Sequence, residues 1–221
     1  MTILVHHLNF SRSTRALWLL NELALPFEIK SWERDENFRA PARAREVHPL
    51  GLFPMVEVDG RVLAESGAII EYFVEREGKL RPTDPDALIE YRFFLHYAEG
   101  SATPPLLISL ITSGVRAAPL PFFIRPIAKR VANTIDEKFT TGALKTHFEF
   151  VEGVLGRREY FAGHEFSAAD IQMVYPVEAC LERVDGSWPN MRAWHERVSS
   201  RPAYKKAIEQ GGAAIRPKPN L

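Results

Sequence analysis

The spacing of hydrophobic and polar positions changes near residue 80 of the chain. Before that point, short apolar runs alternate with helical patterns: a run at 3–5, a polar loop at 9–14, and leucines at helical spacing from Leu17 to Leu23. Pro26 ends the helical pattern, and residues 27–29 alternate as a strand does. The order predicts a strand, a helix and a second strand.

A second group of elements follows an arginine-rich stretch at 31–47. Apolar residues alternate at 55–58 and 61–64, and the Asp59-Gly60 pair between them supplies the positive φ angles that a tight hairpin turn needs. Ser66 is well placed to cap a helix that ends at Gly78. The order βαβ and then ββα predicts a small α/β domain over residues 1–80.

Residues 79–86 are polar and contain two prolines, which is typical of an interdomain linker. Beyond them the apolar positions follow long helical patterns at 88–97, 144–155 and 191–198. We therefore expect an all-helical domain over residues 87–215, with a proline-broken apolar insertion at 118–126 and a frayed tail at 216–221.

Composition narrows the function classes. Basic and acidic residues number 28 each, so no net field attracts a nucleic acid. No uninterrupted apolar run reaches the length of a membrane span, and the N-terminus has no basic leader, so we expect a cytoplasmic protein without a membrane partner. The single cysteine, Cys180, lies in a helical pattern and is expected to be a buried structural thiol. The histidines lack metal-ligand spacing, and no metal is predicted.

The most specific local motif is the segment HPLGLFPMV at 48–56, followed by Glu65-Ser66 at the start of the predicted helix. A proline before a strand, a hairpin, and Glu-Ser opening a helix resemble the glutathione-binding half of the glutathione S-transferase family. The resemblance covers nearly the whole chain. It implies a thioredoxin-like N-terminal domain, a C-terminal helical bundle domain, and glutathione as co-substrate. It also implies a cis bond before Pro54 and a Phe53 backbone that binds the cysteinyl part of glutathione.

Glu65 and Ser66 stand where a helix N-terminus presents unpaired N–H groups and partial positive charge. The resemblance implies that the γ-glutamyl carboxylate binds Ser66 and that Glu65 meets the ligand's ammonium group. The alternative is that Ser66 only caps the helix and that Glu65 is a solvated charge.

Ser11 opens the segment Ser-Arg-Ser-Thr-Arg at 11–15, which resembles the opening of the serine-type subgroup. The resemblance implies that Ser11, at the start of the first helix, is the catalytic residue that holds the glutathione sulfur as a thiolate. No tyrosine precedes Tyr72 and the loop has no cysteine, which disfavours the other subgroups. Two alternatives remain: Ser11 only caps the helix, or Ser13 contacts the sulfur.

The glycyl end of glutathione is less well specified. The family commonly has a lysine after the glycine of the 48–56 loop, and here the residue is Leu52. Arg39 is expected to bind the glycyl carboxylate instead, with His48 and Arg43 as weaker candidates.

The resemblance implies a transferase that conjugates glutathione to a small, largely apolar electrophile, with a role in detoxification. We expect the electrophile pocket between the domains, lined by Phe10, Ser13, Phe122 and Phe123. Reduction of peroxides at the same site and a non-catalytic binding or regulatory role are the alternatives. We also expect a homodimer in which Glu99 reaches the γ-glutamyl group bound to the partner.

Residues 163–171 match a signature of the same family in the helical half. Ser167 and Asp170 are spaced as a capping box, and Phe166 with Ile171 as a hydrophobic staple. This motif predicts fold and gives Asp170 no catalytic role.

Overall fold

The structure is a computed structural model that describes residues 1–216 of the chain. Its N-terminal half contains a four-stranded sheet in the order β2-β1-β3-β4. The strands are β1 (Ile3–Leu8), β2 (Glu28–Trp32), β3 (Met55–Val58) and β4 (Arg61–Ala64). β1 runs parallel to β2 and antiparallel to β3, which pairs antiparallel with β4. With helices α1 (Thr14–Glu22) and α2 (Ser66–Glu77), this confirms the predicted βαβ and ββα order.

The connection between β2 and β3 approaches the sheet through a short 3-10 helix, Ala42–Glu46. It ends in a cis peptide bond between Phe53 and Pro54, as the family resemblance implies. In the β3–β4 hairpin, Asp59 and Gly60 both have positive φ angles, +48° and +83°, as a tight two-residue turn requires.

The C-terminal half is helical. Its helices are α3 (Pro85–Tyr97), α4 (Thr103–Ala117), α5 (Arg125–Ile135), α6 (Thr141–Leu155), α7 (Ala168–Arg183), α8 (Pro189–Ser199) and α9 (Pro202–Gly211). π-helical turns at Ala98–Ala102 and Asp136–Thr140 join α3 to α4 and α5 to α6. The predicted tail lies outside the described residues except for Arg216, whose guanidinium carbon is 4.9 Å from the centre of the Phe38 ring.

One continuous hydrophobic core extends through both halves. Helix α1 is buried along most of its length and packs against α9 and α7, so the loop before it is attached to a rigid support. Trp18 of this helix is fully buried and meets Tyr204 of α9 edge-on, with ring centres 5.0 Å apart. Burial of each such side chain stabilises the fold by about 2–3 kcal/mol.

The capping box at the start of α7 is confirmed: the Ser167 side chain accepts from the Asp170 backbone, and the Asp170 carboxylate from the Ser167 backbone. Asp170 also accepts N–H bonds from Phe161 and the Trp194 ring, both at 3.0 Å. Burial raises the pKa of Asp170 to about 6, although these donors act in the opposite direction.

Cys180 is buried and burial raises the pKa of its thiol to about 12, which confirms a structural thiol. Within residues 1–216, every helix is too short or too polar to cross a bilayer.

Candidate active site

A cleft runs between the β1–α1 loop, the 3-10 helix and the cis-proline loop, and it consists of two cavities. The larger, of about 580 Å³, includes Ser11 and Phe53, and the smaller, of about 200 Å³, includes Pro54, Glu65 and Ser66. Both cavities are lined by Arg12, Leu50, Leu52 and Phe53. The shared residues join them into one site in the size range usual for small-molecule ligands.

Ser11 lies at the floor of the larger cavity with 8% of its surface exposed. Its hydroxyl donates to the Leu8 carbonyl at 2.8 Å and accepts the Ser13 N–H at 3.1 Å. Helix α1 begins at Thr14 and Ser13 occupies the N-cap position, so the prediction that Ser11 starts the helix was wrong by three residues. Ser11 still lies within one turn of a helix N-terminus, where the dipole favours negative charge.

Ser13 is fully buried and is absent from the cleft lining, which corrects its expected place in the electrophile pocket. Its Oγ is 2.9 Å from Nδ1 of His7 and 2.7 Å from Oγ of Ser11. His7 Nε2 lies 2.8 Å from the Gly211 carbonyl, which only accepts, so Nε2 carries the ring hydrogen. Burial lowers the pKa of His7, and the neutral ring offers Nδ1 as an acceptor. The Ser13 hydrogen is therefore committed to His7, away from the cleft.

Phe53 offers its backbone to the cleft. Neither its N–H nor its C=O makes a hydrogen bond with any of residues 1–216. The side chain is almost buried and meets Trp32 edge-on, with ring centres 5.8 Å apart. The backbone donor and acceptor next to the cis bond are thus fixed in place and unpaired.

Glu65 is the N-cap residue of α2 and has φ +68°, a left-handed angle that is uncommon for a residue with a side chain. Such an angle costs on the order of 1–3 kcal/mol and is concentrated at functional sites. The prediction that Ser66 caps this helix was wrong, because Ser66 is its first residue. Its N–H is therefore among the unpaired donors at the helix N-terminus.

Ser66 lines the smaller cavity, and two buried donors hold its hydroxyl oxygen. Its oxygen accepts bonds from Arg15 Nη1 at 3.2 Å and Gln172 Nε2 at 3.1 Å. These donors occupy both lone pairs, and the hydroxyl hydrogen has no acceptor among the described residues. Ser66 is consequently oriented to donate to an acceptor in the cleft.

A partly buried ion cluster of Arg15, Glu99 and Arg12 supports this orientation. Arg15, with 1% of its surface exposed, pairs with Glu99, and Arg12 Nη1 lies 2.5 Å from the other Glu99 oxygen. Burial opposes the Glu99 charge, but attraction to Arg15 and Arg12 outweighs it and lowers the pKa of this carboxyl. Each oxygen of Glu99 is paired with an arginine of its own chain, and the expected reach of Glu99 to the partner's ligand stays a prediction.

At the other end of the cleft, Arg39 and Arg45 line the larger cavity with exposed side chains that make no ion pair with residues 1–216. Leu52, at the position where the family commonly has lysine, is 57% exposed and lines both cavities. His48 and Arg43 lie outside the lining of both cavities: His48 accepts the Leu50 N–H at 3.4 Å, and the Arg43 guanidinium covers the Trp32 ring, which favours Arg39 over these weaker candidates.

Comparison with known proteins decides the family. Residues 10–76 match the model of the glutathione S-transferase N-terminal domain, and residues 116–202 match that of the C-terminal domain. The chain is 36% identical to glutathione S-transferase 1 of Saccharomyces cerevisiae, with 96% of each chain covered. The chain belongs to the glutathione S-transferase family.

Two further relatives agree. Glutathione S-transferase 3 of Schizosaccharomyces pombe is 35% identical over 94% of this chain and 87% of its own. The crystal structure of a glutathione S-transferase from Actinobacillus pleuropneumoniae superimposes with a TM-score of 0.77 at 27% identity, covering 96% of this chain and 94% of that one. The chain is thus a glutathione transferase, and glutathione is the co-substrate of its family.

The aromatic wall of this transferase's cleft differs from the sequence expectation. Phe10 lines the larger cavity and stacks on Phe38, with ring centres 6.3 Å apart, and Tyr175 of α7 lines it as well. Phe122 and Phe123 are 81% and 64% exposed in the α4–α5 connection and line neither cavity. Their expected place in the electrophile pocket is therefore not met.

Several residues that position or line the transferase's cleft were not identified from the sequence. Gln172 and Tyr175 come from α7, about a hundred residues beyond Ser66, and no local pattern marks them. His6 and His7 are neighbours on β1, and the sequence did not indicate which of the two contacts Ser13. A still larger cavity, about 910 Å³, borders the interdomain linker and contains none of the predicted site residues, so its size carries no functional argument.

Proposed function

We propose that this transferase conjugates the glutathione thiolate to a small, largely apolar electrophile and that Ser11 holds the sulfur, as in the serine-type subgroup. The observation that carries the proposal is that Ser11 lines the same cavity as Phe53, whose backbone is unpaired within residues 1–216. A thiolate is a stronger acceptor than the Leu8 carbonyl, so the Ser11 hydrogen turns to the sulfur when glutathione binds.

The peptide of glutathione would run along the cleft. The cysteinyl backbone pairs with the N–H and C=O of Phe53, and the γ-glutamyl group enters the smaller cavity. There its carboxylate accepts from the Ser66 hydroxyl and N–H, while its ammonium meets Glu65. Arg39 or Arg45 binds the glycyl carboxylate.

Only a small free-energy change is needed to ionise the bound thiol. An ordinary thiol of pKa about 8.5 is only about 3% ionised at pH 7. A charge-assisted hydrogen bond, the helix N-terminus and the nearby Arg12 guanidinium together supply the roughly 2.7 kcal/mol that lowers the pKa by about two units. Lower basicity reduces nucleophilicity about eight-fold, so the net gain is a few-fold. The larger acceleration comes from holding the electrophile beside the sulfur.

Phe10, Phe38 and Tyr175 form the apolar side of the larger cavity next to Ser11. We propose that they, rather than the α4–α5 connection, contact the electrophile. A peroxide placed there would be attacked by the same thiolate, which keeps glutathione-dependent peroxide reduction as a second activity of one site.

We also propose a homodimer. Phe93 and Phe150, on α3 and α6, are 46% and 41% exposed and contact each other with ring centres 5.9 Å apart. Phe93 also stacks on Tyr97 at 5.2 Å. Exposed aromatic clusters of this kind are typical of subunit contacts. A monomer in sedimentation at micromolar concentration would contradict this proposal.

The test is retention on immobilised glutathione with competitive elution, followed by turnover of 1-chloro-2,4-dinitrobenzene and of cumene hydroperoxide. Conjugation supports the transferase proposal, and peroxide turnover alone would assign the peroxidase activity. Retention without either turnover would contradict catalysis and indicate a binding protein.

A further inference from the structure

The α4–α5 hairpin exposes an unusual amount of apolar surface. Helix α4 exposes Leu107, Ile111 and Val115 at helical spacing, α5 exposes Ile127 and Val131, and the connection exposes Phe122 and Phe123. Nearly all of residues 113–131 are exposed. Exposed apolar patches of this extent mark interaction surfaces.

The same hairpin is basic. Residues 100–135 contain no aspartate or glutamate, although acidic and basic residues are equal in number over the whole chain. Arg116 is paired with Asp136 at 2.6 Å. Arg125, Lys129 and Arg130 make no ion pair with any residue of the described range 1–216. Apolar and unpaired basic side chains therefore occupy one exposed segment.

We propose that the α4–α5 hairpin docks on an anionic phospholipid surface. Phe122 and Phe123 insert among the lipid chains near the headgroups, while Arg125, Lys129 and Arg130 contact the anionic headgroups. This departs from the sequence expectation of no membrane partner, which rested on the lack of a spanning segment.

Two features favour lipid over protein as the occupant. A symmetric contact with a second copy of the hairpin would place basic side chains against the same basic side chains, with no acidic residue in the hairpin to compensate. Phe122 and Phe123 also protrude, with 81% and 64% of their surfaces free, and a protruding ring enters a fluid interface without a matching pocket.

The experiment is flotation with phosphatidylcholine vesicles, with and without phosphatidylserine, at low and high ionic strength. We expect binding to the anionic vesicles, weakened by salt. The pair Phe122→Ser and Phe123→Ser should reduce it at least about ten-fold. The pair Lys129→Gln and Arg130→Gln should reduce it about 25-fold, or about five-fold for each basic residue.

Matched controls are the exposed pair Lys205→Gln and Lys206→Gln on α9, and Ile89→Ser on α3, where Ile89 is 63% exposed. Both should leave vesicle binding unchanged. The proposal is overturned if the wild-type protein fails to float with anionic vesicles. It is also overturned if the control variants lose as much vesicle binding as the hairpin variants. If the Phe122 and Phe123 variant instead changes the oligomeric state or the KM for the electrophile, a second copy or the substrate occupies the hairpin and the lipid proposal is wrong.

Discussion

At the Ser66 end of the cleft, buried Arg15 and Gln172 hold the Ser66 hydroxyl, whereas at the Arg39 end the arginine side chains are exposed and make no ion pair within residues 1–216. Ser66 is oriented by Arg15 and Gln172, and Arg15 is in turn held by Glu99. Arg39 and Arg45 have no comparable support. The same ligand would thus meet one rigid and one mobile group of donors.

The difference bears on where binding affinity comes from. A hydroxyl that is already aimed loses no rotamer freedom when the ligand arrives. An exposed arginine loses on the order of 1–2 kcal/mol of side-chain entropy when it is ordered, and salt screens its charge. We therefore expect the γ-glutamyl group to supply most of the affinity and the glycyl carboxylate little.

The largest effect is expected from breaking the partly buried ion cluster of Arg15, Glu99 and Arg12. Arg15→Met leaves the partly buried Glu99 short of a cation and should lower the free energy of unfolding by about 3–5 kcal/mol in urea titrations. The exposed pair Lys145 and Glu149, 3.8 Å apart, provides the control. Lys145→Met should cost less than about 0.5 kcal/mol.

A second variant keeps this prediction testable if Arg15→Met fails to fold. Combining it with Glu99→Leu removes both charges and should recover much of the stability, while glutathione affinity stays low because Ser66 has lost its orienting donor. Equal losses for Arg15→Met and Lys145→Met would show that the cluster is no more important than a surface pair.

The next effect concerns the Ser66 hydroxyl. Ser66→Ala should lower glutathione affinity at least about ten-fold, the value of one charge-assisted hydrogen bond of about 1.5–3 kcal/mol. Calorimetry with cysteinylglycine, which lacks the γ-glutamyl group, supplies the control, because its weak affinity should be unchanged by the substitution. A similar loss for both ligands would mean that Ser66→Ala disturbs the whole cleft.

The smallest effect is expected at the other end. Arg39→Ala and Arg45→Ala should each weaken glutathione binding two- to three-fold at low ionic strength and hardly at all at high ionic strength. Neither should affect γ-glutamylcysteine, which lacks the glycyl carboxylate, and Arg43→Ala should be neutral towards both ligands. A ten-fold loss in either variant would contradict the contrast between the two ends.

The fold could be predicted because its signals are local. The Asp59-Gly60 turn, the helical leucines of α1 and the Ser167 capping box each lie within one element, and each formed as its spacing predicted. The cis bond before Pro54 came from the family resemblance, since composition and periodicity carry no information about peptide isomers.

The contacts that hold the side chains of the cleft in place could not be predicted, because they join elements that are distant in the sequence. Gln172 reaches Ser66 across 106 positions, and His7 is fixed by the carbonyl of Gly211 at the end of α9. The expected place of Phe122 and Phe123 in the pocket was wrong for a related reason. An apolar run in the sequence indicates that the segment forms a contact, but it does not indicate what the segment contacts.

The proposed role of Ser11 is to stabilise the thiolate of bound glutathione, and the thiolate absorbance of the complex, titrated against pH, measures this effect. Ser11→Ala should raise the pKa of the bound thiol by about one to two units and change glutathione affinity only a few-fold. Ser13→Ala should shift it less, because its hydrogen is committed to His7, and Tyr175→Phe should leave it unchanged although Tyr175 lines the same cavity. A thiol pKa that moves with Ser13→Ala or Tyr175→Phe but not with Ser11→Ala would contradict the account, and a pKa that moves with none of them would leave the stabilisation to the helix terminus and Arg12.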